Sequence, residues 1–297
     1  MSLIQYDHHV DWLTLTVRGG YDAPQIRGNA PRAREIAASV FHMFALPVVA
    51  EHLFAGRPEF GYAYAFTDPT SAITVNVGSD LEKQGLMLVA TGTSLTARVD
   101  GRLLLLQGLE QGWKPTRIDV AFDIHDSGVT VRQMHEEYTA DDRGRMIRSV
   151  GLKESRTGAT FTVGARSSEK YLRIYDKAGE QGVRGDWVRV EIELKGDAAI
   201  EYAGDIATDD SSASVLIAPL LSGCANDLAR TMQQIAGGHE PARPITRAES
   251  NPNKLLWLRK SVIPTLVKLF YNDRVTFNKF LDDLHTAIDE ENQARHW

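Results

Sequence analysis

Cysteine is nearly missing: Cys224 is the single one in 297 residues. A disulfide framework and a cysteine-built metal cluster are therefore excluded. Long apolar runs are missing too. The best candidate, FALPVVAEHLFAG at 44–56, is interrupted by Pro47, Glu51 and His52. It reads as a buried helix or loop rather than a membrane span, which needs about 20 apolar residues. No amino-terminal signal pattern is present, so a cytoplasmic protein without membrane contact is expected. Positive charge is in short supply, with 33 Lys and Arg against 39 Asp and Glu and a net charge of −6. Over the whole surface that balance weighs against a phosphate-rich partner.

What is present fits a globular protein, 43% hydrophobic and 24% charged, with length for one large domain or two. Cations gather in two places. Residues 143–177 hold nine Lys and Arg against Glu154, Glu169 and Asp176, and residues 243–274 hold seven against Glu249 and Asp273. A charge run is usually a solvated face, so these segments permit nucleic acid without requiring it.

The order of patterns predicts an α+β fold. An alternating strand, DWLTLTV, ends at Gly19-Gly20, and a helix over about 31–53 follows. Three strand-like runs come next, EFGYAYAFT, AITVNVG and LMLVATG, while 93–113 is open to helix or strand. A second strand, TRIDVAFDI, precedes a helix with Val131, Met134 and Tyr138 on one face, and Thr130 with Gln133 forms its capping box. GATFTVG, KYLRIYD and WVRVEIELK complete that half. Segments 11–91 and 116–195 thus read as a duplicated strand–helix–strands unit in one antiparallel sheet, without identity between the copies. Residues 1–236 are expected to form this domain, 237–253 a proline-containing linker, and 254–297 a helical carboxy-terminal region.

The chemistry lies in three strands. In KYLRIYDK, Leu172 and Ile174 point one way while Tyr171, Arg173, Tyr175 and Lys177 line the other side. TRIDVAFDI places Arg117, Asp119 and Asp123 opposite its apolar residues, and WVRVEIELK does the same with Arg189, Glu191 and Glu193. Converging carboxylates repel unless a cation lies between them, and hard oxygen ligands suit Mg²⁺ or Mn²⁺. A divalent metal beside phenol, guanidinium and ammonium makes a phosphoryl-transfer set, with tyrosine as nucleophile. Free tyrosine ionises near pH 10, so Lys177 is expected to favour its phenolate. A structural ladder of salt bridges explains the same strand patterns equally well.

PTRIDVAFDI, GATFTVGARSSEKYLRIYDKAGEQ and WVRVEIELKG, in that order, resemble the rolling-circle replication initiators of plasmids, integrative elements and filamentous phages; LLWLRKSVIPTL resembles phage-type members. The likeness covers roughly 85–270. It implies a nickase that cuts one origin strand, stays attached through a 5′-phosphotyrosine and later rejoins the strand. On that resemblance Tyr175 is the nucleophile, Arg173 and Lys177 hold the phosphate, and Tyr171 is a spare nucleophile or stacking surface. Asp119, Asp123 and Glu191 bind Mg²⁺ or Mn²⁺, while Arg117, Arg166, Lys170, Arg189, Arg259 and Lys260 contact DNA. Single-stranded or cruciform origin DNA, a host helicase and polymerase, and a second copy in a homodimer are the implied partners. The sequence departs from His-x-His initiators: His8 and His9 are adjacent and would face opposite ways, so the carboxylates are expected to carry the metal. A catalytically silent DNA-binding regulator and a metal phosphodiesterase using water are the alternatives.

Overall fold

The structure is a computed structural model that describes residues 4–18, 26–140 and 149–237, together with Asn278. The chain divides into two compact units, 1–242 and 243–297. Gly237 and Asn278 apart, the expected linker and tail helices, with Arg259 and Lys260, lie outside the described residues.

Strand β1 (Gln5–Val17) is followed by α1 (Ala30–Met43), the short β2 (Phe54–Ala55), and β3 (Tyr64–Thr67), β4 (Thr74–Val77) and β5 (Leu86–Thr91). Helices α2 (Gly92–Ala97) and α3 (Gly101–Glu110) close the first half. The second half runs β6 (Lys114–His125), α4 (Val131–Ala140), β7 (Val150–Ser155), β8 (Gly158–Val163), β9 (Lys170–Asp176), the short α5 (Lys177–Gln181) and β10 (Trp187–Lys195). Helices α6 (Gly196–Thr208), α7 (Ser214–Ile217) and α8 (Asp227–Ala236) complete it. The fold is α+β. The ten strands among the described residues form one antiparallel sheet in the order β2-β3-β4-β5-β1-β6-β10-β9-β8-β7. Each half therefore runs outward from the β1–β6 seam in matching order: first strand, last strand, then the inner three.

Period-two alternation explains the layering. Val10, Leu13 and Leu15 of β1, Ile118, Val120, Phe122 and Ile124 of β6, and Val188, Val190, Ile192 and Leu194 of β10 join one buried cluster. Helices supply the other side of that core, through Ile36 and Phe41 of α1, Leu104 and Leu105 of α3, Met134 and Tyr138 of α4, and Tyr202 and Ile206 of α6. Each such side chain contributes roughly 1.5–3 kcal/mol by leaving water. The opposite face of the central strands keeps the polar rows.

Local signals account for where the elements depart from expectation. The undecided stretch 93–113 is helical, because Asp100 accepts the amides of Arg102 at 2.9 Å and Leu103 at 3.3 Å and so caps α3. The helix expected to reach 53 stops at Met43, where Ala45 takes φ 53° just before Pro47. The run 59–67 is strand only from Tyr64, since Phe60 and Gly61 turn with φ 49° and 78°. Half-exposed to exposed throughout, β7 lacks the alternation that would announce it. Lys177 opens α5 rather than ending a strand, because the Asp176 carboxylate caps the turn at the Gly179 amide, 2.8 Å away.

At Gly85 the backbone has φ +72°, and a Cβ there would lie 2.0 Å from the Val17 carbonyl oxygen at the β1–β5 pairing. Gly85→Ala is expected to lower the unfolding free energy by at least about 2 kcal/mol. Urea melts read this directly; an unchanged midpoint would show that the chain at 85 relaxes without disturbing β1.

Candidate active site and metal centre

Register sets the polar face. Arg189, Glu191 and Glu193 of β10 stand across from Asp123, Ala121 and Asp119 of β6, and on the other side from Tyr175, Arg173 and Tyr171 of β9. One face is not one cluster, however. A strand advances about 3.3 Å per residue, so the four positions from Asp119 to Asp123 span roughly 13 Å. The polar residues form two groups along β6.

The first group is built on Arg189, which is buried. Its Nε and Nη2 donate to the two oxygens of Asp123 at 2.8 and 2.6 Å, and Nη1 donates to Asp11 at 3.1 Å. Trp187 Nε1 donates to Asp123 as well, at 2.6 Å. Asp11 enters through a β-bulge: pairing shifts between Val10↔Val120 and Trp12↔Asp119, which leaves Asp11 as the extra residue of β1. Such an irregularity re-aims a side chain, here towards Arg189. Two residues upstream stands His9, whose Nε2 lies 3.3 Å from Asp11 and whose Nδ1 lies 3.9 Å from both Asp7 and Asp123. Burial pushes the Asp11 carboxyl up, but the His9 hydrogen bond and the charges of Arg189, His9 and Lys177 outweigh it and hold the group below its ordinary value. His8 faces the other way, where its hydrogen bond to Asp210 at 2.7 Å outweighs burial and raises the imidazole.

The second group surrounds Asp119, which accepts Arg117 Nε at 2.8 Å and Nη2 at 2.6 Å, with Arg173 Nη2 at 3.6 Å. Arg117 also reaches Glu193 at 3.0 Å and lies over the Trp12 ring, 4.2 Å from its centroid. Burial pushes the Asp119 carboxyl up to about 7; Arg117 opposes this, and nearby Glu191 and Glu193 add to it. Glu191 is 2% exposed. One of its oxygens accepts Arg173, the other the Tyr175 hydroxyl at 3.1 Å. Burial first, and then Glu191, raise the Tyr175 phenol well above the ordinary tyrosine value. This reverses the phenolate expected beside Lys177, whose ammonium sits over the Tyr175 ring at 5.6 Å from its centroid and pairs with Glu180.

The expected metal set is spread along the sheet. Asp119, Asp123 and Glu191 share a face, but Asp123 stands about 13 Å along β6 from Asp119, so the three carboxylates are not gathered at one point. Among the described residues two groups bring ligand atoms within 4.8 Å of one another, Asp7–His9–Asp123 and His8–Asp209–Asp210. The first fits a divalent ion better: its histidine presents Nδ1 to two carboxylates and gives its other nitrogen to Asp11, the usual support for a ligating imidazole. Sequence reading began the strand at residue 11 and so missed it. The signal was Asp7-x-His9-x-Asp11, three ligand-type side chains at strand spacing.

The other expected contacts are dispersed. Arg189 is committed to two acids and is not free for phosphate. Lys170 lies on the helical side, donating to the Tyr202 hydroxyl at 3.1 Å. Arg166 is exposed in the turn between β8 and β9, and Tyr171 is buried beside Glu193. Asp7, His9, Asp11, Trp12, Asp123, Lys177 and Arg189 line an open cleft of about 1230 Å³.

The profile of the replication initiation factor family matches residues 114–284, more than half of the chain. The chain belongs to that family. The match begins at the first residue of β6 and takes in Asp119, Asp123, Tyr175, Arg189 and Glu191, whereas Asp7, His9 and Asp11 precede it. No curated protein matches the chain. A solved rolling circle replication initiator protein from Geobacillus stearothermophilus shares the fold, with a TM-score of 0.59 at 20% identity over 80% of this chain and 98% of that one. No helix among the described residues of this replication initiation factor is long and apolar enough to cross a membrane.

Two outcomes test the first group. Arg189→Ala strands the Asp123 carboxylate and is expected to cost about 3–5 kcal/mol of stability, with Arg189→Ala/Asp123→Ala costing less than the single change. Asp11→Asn is expected to weaken Mn²⁺ binding, measured by calorimetry, by about 10–100-fold without unfolding the protein; unchanged affinity would remove His9 from the metal site.

Proposed function

We propose that this replication initiation factor is a rolling-circle initiator that nicks one strand of origin DNA and rejoins it through a 5′-phosphotyrosine at Tyr175. The observation that carries the reading is the setting of the Tyr175 hydroxyl. Tyr175 lies on the polar sheet face, directly across β9–β10 from Arg189 and with the Lys177 ammonium over its ring, and both of those cations line the cleft. The phenol and the Asp7–His9–Asp123 ligands share one sheet face.

Asp7, His9 and Asp123 would hold Mn²⁺ or Mg²⁺, an imidazole among the donors favouring Mn²⁺. When bound, the ion polarises a non-bridging phosphate oxygen. The chain's own residues do the rest. Asp11 orients His9, and Arg189 fixes Asp123 and Asp11 together. Lys177, over the tyrosine ring, faces the phosphate that approaches Tyr175. Trp12 and Trp187, both half-exposed on the cleft, offer stacking surfaces to unpaired bases, which fits single-stranded or extruded origin DNA. A host helicase and polymerase would follow the nick, and a homodimer is compatible with the site.

The decisive measurement is incubation with single-stranded origin DNA and Mn²⁺, followed by a denaturing gel. Tyr175→Phe should abolish the covalent adduct and preserve DNA binding, since one hydroxyl goes and the ring stays. Tyr171→Phe should keep most adduct, because Tyr171 is buried against Glu193. Adduct lost with Tyr171→Phe alone would move the nucleophile, and cleavage without any adduct would make water the attacking group.

A further inference from the structure

Glu191, expected from sequence as a metal ligand, has a different setting. Across from it on β6 stands Ala121, so no second carboxylate shares its position. One oxygen is held by Arg173 and the other accepts the Tyr175 hydroxyl at 3.1 Å. The side chain is buried, so bulk water does not take its place beside the phenol. Arg173 is itself anchored, 3.6 Å from Asp119, which fixes the rotamer that aims Glu191 at the phenol.

We propose that Glu191 is the general base for Tyr175 in the strand-transfer reaction. This rests on the nicking function above. As the phenolic oxygen attacks phosphorus, its O–H bond breaks and the proton passes to the free Glu191 oxygen. The new tyrosyl O–P bond forms, the P–O3′ bond breaks, and the departing 3′-oxygen takes a proton from solvent. Glu191 then returns its proton to solvent, so one phosphodiester is exchanged for another with no net proton change. Rejoining runs in reverse, with the protonated acid reprotonating the phenol as it leaves. A phenol made hard to ionise by its surroundings needs such an acceptor in the transition state, and a positioned base typically contributes about 10²–10⁴-fold.

The test measures single-turnover adduct formation on single-stranded origin DNA with Mn²⁺, comparing natural tyrosine with the more acidic 3,5-difluorotyrosine at position 175. Glu191→Gln should slow the tyrosine enzyme by at least about 100-fold, and the difluorotyrosine enzyme by about tenfold or less, with Mn²⁺ affinity unchanged. Equal losses with both phenols, a loss under about threefold, or lost Mn²⁺ binding would each overturn the proposal. If Glu191→Gln fails to fold, Glu191→Asp keeps the charge for Arg173 but draws back from the phenol, and should show the same dependence on phenol acidity. A wild-type protein that forms no adduct would overturn the nicking function itself; an active wild type with an indifferent Glu191→Gln would overturn only the base.

Discussion

The guanidinium of Arg189 is the point on which the site depends. Taking an arginine out of water costs several kcal/mol unless acids meet it with good geometry. Here Asp123 binds it through both oxygens and Asp11 takes a third donor. The planar fork suits this arrangement, which a lysine would not reproduce. Because the three residues come from β10, β6 and β1, one side chain ties the central strands together on their polar face. His9 is positioned by Asp11, and Asp123 is oriented by Arg189 and Trp187, so the geometry of the cleft follows from this single buried charge.

The seam between the two halves explains why chemistry gathers where it does. β1 and β6 open their respective halves and pair with each other, so Asp7, His9 and Asp11 come from one copy of the topology and Asp123 from the other. Arg173, Tyr175, Arg189 and Glu191 lie on β9 and β10, in the second half alone. In the first half the matching strands β4 and β5 carry Thr74, Asn76, Met87 and Val89 on that face, which pack and offer no nucleophile. Shared architecture thus carries an asymmetric candidate site.

Much of this was readable from residues. Alternation alone assigned Asp119, Asp123, Tyr171, Arg173, Tyr175, Arg189 and Glu191 to one face, because period two is a property of the backbone. What alternation lacks is distance along the strand, and that is why Asp119 and Asp123 looked like co-ligands. Pairing partners were equally out of reach. Nothing local says that Arg173 will cross to Glu191, or that Arg189 will reach past β6 to Asp11. The amino-terminal end of β1 was hidden for another reason: His8 and His9 in succession look like a broken pattern until one of them is given a partner on the helical side, as Asp210 provides.

The bulge at Asp11 has a numerical consequence for the length of β1. Downstream of it the strand is locked by Leu13 and Leu15 in the core, and upstream Asp7 and His9 line the cleft. Losing Asp11 alone would let Val10 run straight on to Trp12 with their partners Val120 and Asp119 unchanged, leaving Asp7 and His9 on the cleft side but removing the carboxylate that joins Arg189 to His9. The strand therefore tolerates the presence or absence of one residue at the bulge, and what changes with it is the Asp11 carboxylate rather than the face that Asp7 and His9 present.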